Sequence, residues 1–263
     1  MAVTDQSSYA AFLASASSKP RYIKASVANT VAGQTFSLWR AAGFPDVGAI
    51  PTTAAAPTSA TPGAWPFVAA ILPETNNVGY LSAQMVNAGT VIVADRAQHM
   101  GGLSGTVTIA QTIGLTIPSG HGILADGSNA EWSLDCYADT GSTGVSATVT
   151  YVDWTDVTRT VTVAIPATMR AGRSIRFLHN AGQYIKSLTS VQHATTGTPG
   201  NYGFSLRRVI ATCGVINPAI ERELNSIDVG MARVVPDVCI EFLCLCSTTS
   251  TGIIQGTLSI GAK

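Results

Sequence analysis

The sequence predicts an all-β fold, an antiparallel β-sandwich of jelly-roll type, preceded by a short N-terminal helix and an extended Pro-rich arm. Three observations predict it. From Val78 onward the chain is a succession of β-branched runs between Gly-rich turns, spaced at roughly 8–12 residues. Within residues 145–151, Val145, Ala147, Val149 and Tyr151 alternate with Ser146, Thr148 and Thr150, giving one apolar and one hydroxyl face. The composition agrees: 31 Thr, 23 Ser and 25 Gly stand beside only 11% charged residues, where an average soluble domain carries about 25%. Threonine's β-branch suits a strand, and its hydroxyl suits a solvated face that carries no charge.

The elements follow in chain order. Tyr9, Phe12, Leu13 and Ala16 are spaced for one short helix over residues 5–17, with Thr4 or Asp5 as its cap. Pro20 ends it, and residues 22–39 read as extended. Between Pro45 and Pro73 the chain changes character: six of its 12 prolines fall there, and no charge occurs between Asp46 and Glu74. So many prolines forbid a helix or a central strand. A solvated linker is usually polar, whereas this segment carries Ile50, Trp65, Phe67, Val68, Ile71 and Leu72. It reads as an arm lying along a surface, its own or a neighbour's, with Pro51, Pro57, Pro62, Trp65, Pro66 and Phe67 as candidate interface residues. Residues 1–75 are therefore helix and arm, and residues 76–263 the β domain.

Strands are predicted over residues 78–86, 90–94, 105–109, 113–117, 131–137, 145–151, 158–165, 174–179, 184–192, 202–211, 238–246 and 253–259. The hairpin-length loops 138–144 and 152–157 make the fifth to seventh of these a three-stranded meander. One helical interruption is expected near 218–228, with Asn217 as N-cap, Pro218 in the first turn and Glu221 close behind. The chain has no fixed-period repeat, which disfavours solenoids and propellers.

Charge and hydropathy exclude several classes. Fifteen basic and 15 acidic residues balance, which argues against a nucleic-acid binder with a basic face. The concentration of Arg170, Arg173, Arg176, Arg207 and Arg208 has no interleaved aromatics and suits an acidic protein surface better. No run of 18 apolar residues exists, so no membrane-spanning helix is expected. The first residues carry Asp5 where an export signal would be basic, so synthesis in a reducing cytosol is expected. A chain with so few charges is suited to packing against other subunits.

The five cysteines are Cys136, Cys213, Cys239, Cys244 and Cys246, an odd number that excludes complete internal pairing. On a strand, Cys244 and Cys246 share a face and Cys239 takes the other. Residues i and i+2 are too far apart and too parallel for a favourable disulfide. Buried small hydrophobes are the simplest reading, and a cross-link through Cys239, Cys244 or Cys246 the sharper one.

Catalytic patterns are missing. G-x-S-x-G, a Walker A loop, H-E-x-x-H and G-x-G-x-x-G do not occur. His99, His121, His179 and His193 share no metal-ligand spacing, and no CxxC is present. Residues 126–131 are oxygen-rich but lack the EF-hand pattern and read as a turn. Trp132, Asp153, Trp154 and Asp156 pair an aromatic face with carboxylates, the chemistry of glycan contact; a turn-forming Asp beside a half-buried Trp is the structural alternative. No cofactor or metal is expected.

Three stretches carry a resemblance: His99–Thr108 with Ala110-Gln111-Thr112; Ala147–Tyr151, continued by Arg159–Val163 and Pro166–Arg173; and Ser190-Val191-Gln192 with Thr196–Phe204. With the opening Ser37–Gly43, these are similar to virion structural proteins of tailed bacteriophages over most of the chain. The shared motifs are turn and strand signatures, and no functional residue carries over. The resemblance implies a non-enzymatic building block: a head decoration (cement) or minor capsid protein, or a collar, tail or receptor-binding component. It further implies a homo-oligomer, trimeric or higher, meeting other virion proteins such as the major capsid protein. Its place would be the virion, after synthesis in the host bacterial cytoplasm, with neither nucleic acid nor membrane as partner.

Overall fold

The computed structural model describes residues 21–67, 75–177, 179, 183–197, 199–225, 227–230, 232–236 and 238–262. The strands are β1 (Arg21–Lys24), β2 (Thr35–Ser37), β3 (Gly43–Phe44), β4 (Asn76–Met85), β5 (Gly89–Ser104), β6 (Gln111–Thr116), β7 (Glu131–Ala138) and β8 (Val145–Asp153). They continue as β9 (Thr158–Ile165), β10 (Arg173–Arg176), β11 (Ile185–His193), β12 (Asn201–Val215), β13 (Arg222–Asn225), β14 (Arg233–Val234), β15 (Ile240–Cys246) and β16 (Ile254–Ala262).

Every pairing is antiparallel. Six strands close a barrel in the order β10-β2-β15-β5-β12-β7. A sheet β13-β4-β16-β1-β3, with β14 also on β4, covers one flank, and a four-stranded sheet β6-β11-β8-β9 covers another. The sheets pack face to face over apolar cores, as in a sandwich, with the barrel as the shared partner. One core joins the barrel to the first sheet through Tyr22, Leu81, Met85, Leu258, Val91, Val93, Phe242 and Cys244. The other joins it to the second through Leu115, Val149, Tyr151, Leu188, Leu134, Tyr202, Phe204 and Leu206.

The long strands β5 and β12 serve both cores. Their pairing is broken by register shifts at Tyr202/Phe204, Leu206/Arg207 and Val209/Ala211. Each added residue reverses which face the following side chains occupy. Tyr202, Phe204 and Leu206 consequently enter one core, and Cys213 and Val215 the other. At Gly203 the two strands run so close that a Cβ would lie 1.8 Å from the Met100 carbonyl oxygen.

Several expectations are corrected. The helix near 218–228 is absent: residues 217–219 form a turn with Ala219 at φ 62°, and β13 follows on the edge of β4. A helix of two turns is marginal alone, while the β4 edge offers backbone partners to four successive residues. The meander is only half present. β8 and β9 form a hairpin, but β7 belongs to the barrel and β8 pairs with β11 instead. The expected strand over 105–109 is a turn, in which Val107 N donates to Ser104 O, because β5 runs on to Ser104. The closed barrel itself was unforeseen. The N-terminal helix over 5–17 lies outside the described residues. The boundary drawn at 75/76 falls within a continuous arrangement, since β1 pairs with β16 and β2 closes the barrel against β15 and β10.

Residues 45–67 strap the molecule. Ala55 bridges to His99 of β5, with N–H···O distances of 3.0 and 2.9 Å. Trp39 Nε1 donates to Ala49 O at 2.9 Å, and Trp65 N to Ile240 O at 2.8 Å. The Trp65 ring meets Tyr22, Phe44 and Phe242 edge-on.

Candidate functional site

Four charges sit within predominantly apolar strands: Arg96 on β5 beside Asp95, Asp135 on β7, Arg207 on β12 beside Arg208, and Glu241 on β15. Alternation turns their apolar neighbours outward to the two cores and these four inward, into the barrel lumen. Ser37 of β2 and Ser174 of β10 join them, so all six barrel strands contribute.

The Arg96 guanidinium donates from Nη1 to Glu241 Oε2 (2.9 Å), from Nη2 to Asp135 Oδ2 (3.0 Å) and Tyr137 Oη (2.6 Å), and from Nε to His99 Nδ1 (3.0 Å). Arg207 grips Asp135 with both terminal nitrogens (Nη1–Oδ1 2.9 Å, Nη2–Oδ2 2.6 Å) and gives its Nε to Glu241 Oε1. Ser174 and Ser205 donate to Asp135 at 2.8 and 2.7 Å, and Ser37 to Glu241 at 2.9 Å. The Trp39 ring lies 4.9 Å from the Arg96 guanidinium carbon, in cation–π range.

Two guanidiniums meet two carboxylates, so the cluster is neutral as a unit. Burial alone would raise the Asp135 pKa, but Arg207 and Arg96 outweigh it and hold the carboxyl well below the usual range. Arg96 is likewise raised: Glu241 overcomes its desolvation. His99 moves the other way, down to about 3, through burial and then the adjacent Arg96. Arginine only donates, so His99 Nδ1 accepts and its proton is on Nε2.

With its donors and acceptors so engaged, this cluster is a structural keystone. Above it the lumen opens into a cavity of about 230 Å³, lined among others by Ile92, Val209 and Leu243 with Ser133, Ser174 and Arg207. A second pair lies outside the lumen, where His121 Nδ1 is 2.9 Å from Asp95 Oδ2 and Cys239 N donates to Asp95 Oδ1 at 3.2 Å. Among the described residues, no group of three or more His, Cys, Asp or Glu is placed to hold a metal ion.

The residues singled out from the sequence divide. Trp132 is buried, donating Nε1 to Ile185 O at 3.1 Å. Asp153 is buried as the cap of the β8–β9 turn: Oδ1 accepts from Thr155 N, Thr155 Oγ1 and Val157 N, and Oδ2 pairs with Arg159 at 2.5 Å. These bonds hold its carboxyl far below the ordinary value, the Thr155 hydroxyl contributing most. Trp154 and Asp156, on the same turn, face solvent, and Asp156 pairs with Lys186 at 2.5 Å. Trp154 lines a surface cleft of about 620 Å³ with Leu124, Ala125, Asp126 and Lys186. The glycan quartet thus splits into two structural and two exposed residues.

Within the strap, Trp65 and Pro57 are buried, Pro51 and Phe67 half-buried, and Pro62 and Pro66 exposed. All five cysteines are buried free thiols. Cys244 and Cys246 share the first core, their sulfurs 3.8 Å apart, while Cys239 packs with Trp39 and Ala64 on the other side. Burial raises the Cys239 thiol, so it stays protonated.

Sequence reading missed the lumen quartet. Its signal was present as charges of both signs inside apolar strand runs, single at residues 135 and 241 and paired with a neighbour at 95/96 and 207/208, in a chain otherwise sparing of charge.

No protein-family model matches the chain, and neither does any curated protein. Among solved structures it has a weak similarity to the VP2 subviral particle of infectious bursal disease virus. That alignment has 10% identity and a TM-score of 0.17, covering 93% of this chain and 80% of that one. The Gx strain of the same virus gives 10% identity and a TM-score of 0.15, covering 92% and 80%. Similarity at this level carries no argument.

Proposed function

We propose that this chain is a non-enzymatic structural subunit of a bacteriophage particle, a capsid decoration (cement) or minor capsid protein that works as a homo-oligomer against the major capsid protein. The observation that carries the reading is where the charge sits. Arg96, Arg207, Asp135 and Glu241 are satisfied within the lumen. The outward faces of β6, β8, β9 and β11 present Thr112, Thr116, Ser146, Thr148, Thr160, Thr162, Thr189 and Gln192, with Lys186 at the start of β11 as their exposed charge. A charge-poor outer face on a rigid body suits a large subunit contact, because obligate interfaces deplete charge at their centre. The similarity of the strand and turn motifs to tailed-phage virion proteins supports the same reading, as do the exposed residues 52–56 of the strap, which present only Thr and Ala. Synthesis in a reducing host cytoplasm fits five free thiols.

The test is assembly. Size-exclusion chromatography with light scattering should find a trimer or larger species, and the protein should bind expanded phage heads. Thr53→Glu with Ala56→Lys, both on the exposed side of the strap, should leave the circular dichroism and Tm unchanged while weakening assembly at least tenfold. A strictly monomeric wild type that binds no particle would overturn the proposal. A collar, tail or receptor-binding placement is the second reading, favoured by the cleft at Trp154.

A further inference from the structure

The chain has four tryptophans. Trp39, Trp65 and Trp132 are 2%, 1% and 5% exposed, whereas Trp154 is 48% exposed. A large aromatic left half in solvent at the tip of a turn calls for an explanation, because burying its apolar area would stabilise the fold. The turn that carries it is firmly built. Asp153 accepts three hydrogen bonds within it and pairs with Arg159, and Trp154 N donates to Tyr184 O at 3.0 Å.

The opposite wall of the cleft is the 117–130 loop, and it is equally braced. Leu124 N donates to Asn129 Oδ1 (2.8 Å), Asn129 Nδ2 to Gly122 O (3.0 Å), and Ser128 N to Asp126 Oδ1 (3.0 Å). The Ser128 backbone and hydroxyl keep Asp126 ionised below the usual carboxylate range. Between the walls lie about 620 Å³ of open space, an indole, an apolar Leu124 that is 54% exposed, an ionised carboxylate and the Lys186 ammonium.

We propose that this cleft binds the pyranose ring of a neutral saccharide. A pyranose has one face of C–H groups and a rim of hydroxyls. The indole of Trp154 and the side chain of Leu124 offer the C–H face an apolar bed. Asp126 accepts from hydroxyls and Lys186 donates to them, so both hydrogen-bonding roles are present on one rim. Charge selects the neutral class. Lys186 is already matched by Asp156 at 2.5 Å, which leaves Asp126 as the uncompensated charge of the cleft and makes it repel uronic and sialic acids. The inference is independent of the assembly role: a virion subunit serves its shell with or without a sugar at this turn.

The exposure pattern supplies its own readout, because acrylamide quenching of tryptophan fluorescence reports mainly on Trp154. Lactose, maltose and chitobiose, titrated to about 50 mM, should protect the fluorescence saturably, since even a site of ~10 mM affinity is filled there. Glucuronic acid should not. Trp154→Ala, at an exposed position, should keep the wild-type Tm and abolish saccharide saturation-transfer signals by NMR, and Asp126→Asn should weaken them at least fivefold. Two results would each overturn the proposal. One is the absence of saturable protection by any neutral saccharide. The other is Trp154→Ala changing the oligomeric state instead of sugar binding, which would make the cleft a subunit contact.

Discussion

At the scale of single residues, the chemistry of this molecule is concentrated in its lumen. His99 accepts a hydrogen bond from Arg96, so protonating it means both losing that bond and burying a third positive charge. The consequence is a pH dependence with a definite sign. The His99 pKa falls from 6.5 when unfolded to about 3 when folded. Between those values the unfolded chain binds a proton that the native state refuses, so stability falls as pH falls, by up to about 1.4 kcal/mol per pH unit. Asp135, also depressed, loses its contribution as pH drops below its unfolded value of 3.8 and steepens the decline. Urea unfolding between pH 6.5 and 4.5 should therefore show a positive slope of stability against pH. His99→Asn, whose carbonyl can accept from Arg96, should flatten it. Equal slopes in the two proteins would remove His99 from the account. None of this was legible in the sequence, where His99 was one of four scattered histidines, because its meaning depends on Arg96 three residues before it and on strands far away in the chain.

At the scale of elements, the sequence was most informative where one face is wet. The alternation in residues 145–151 and 158–165 identified β8 and β9 directly, since the period of two survives when apolar and hydroxyl faces differ. It was least informative for β5 and β12, which run for 16 and 15 residues and change faces at bulges. A bulge adds a residue without leaving a mark in composition. The Pro-rich segment was legible as irregular and apolar, and the structure adds that its Trp65 sits among Tyr22 and Phe242 of the first core. The strap therefore contributes to folding as well as covering the surface. Trp65→Ala should cost about 3–5 kcal/mol, read as a lower urea midpoint. A loss under about 1 kcal/mol would show that the strap is only laid on the barrel. The turn that carries Trp154 was half legible: sequence placed Trp154 and Asp156 together on it, but could not tell that Asp153 faces inward to cap it, or that residues 124–126 face it across a cleft.

At the scale of the whole molecule, the two apolar cores are joined by strands common to both. Val91 and Val93 of β5 pack in one, while Ala97 and Leu103 of the same strand pack in the other. Neither core can melt without breaking the barrel wall, so the structure should unfold as one cooperative unit. Leu258→Ala in the first core and Leu188→Ala in the second should each cost about 2–5 kcal/mol and shift far- and near-ultraviolet circular dichroism together. Separate transitions would mean that the cores are independent. The all-β, antiparallel character of this body was legible from patterning; the closure of its central sheet was not, because closure is set by which edges meet. The lumen quartet bears on how that closure is chosen. Alternation of apolar and small residues is satisfied by several alignments of six strands, each shifted by two residues from the next. A shift of two carries Arg96 or Glu241 away from its partner and strands a charge in a dry interior, a penalty of roughly 3–5 kcal/mol. The salt bridges thus act as a proofreading lock: they add little to the depth of the native minimum and much to the height of its near-copies.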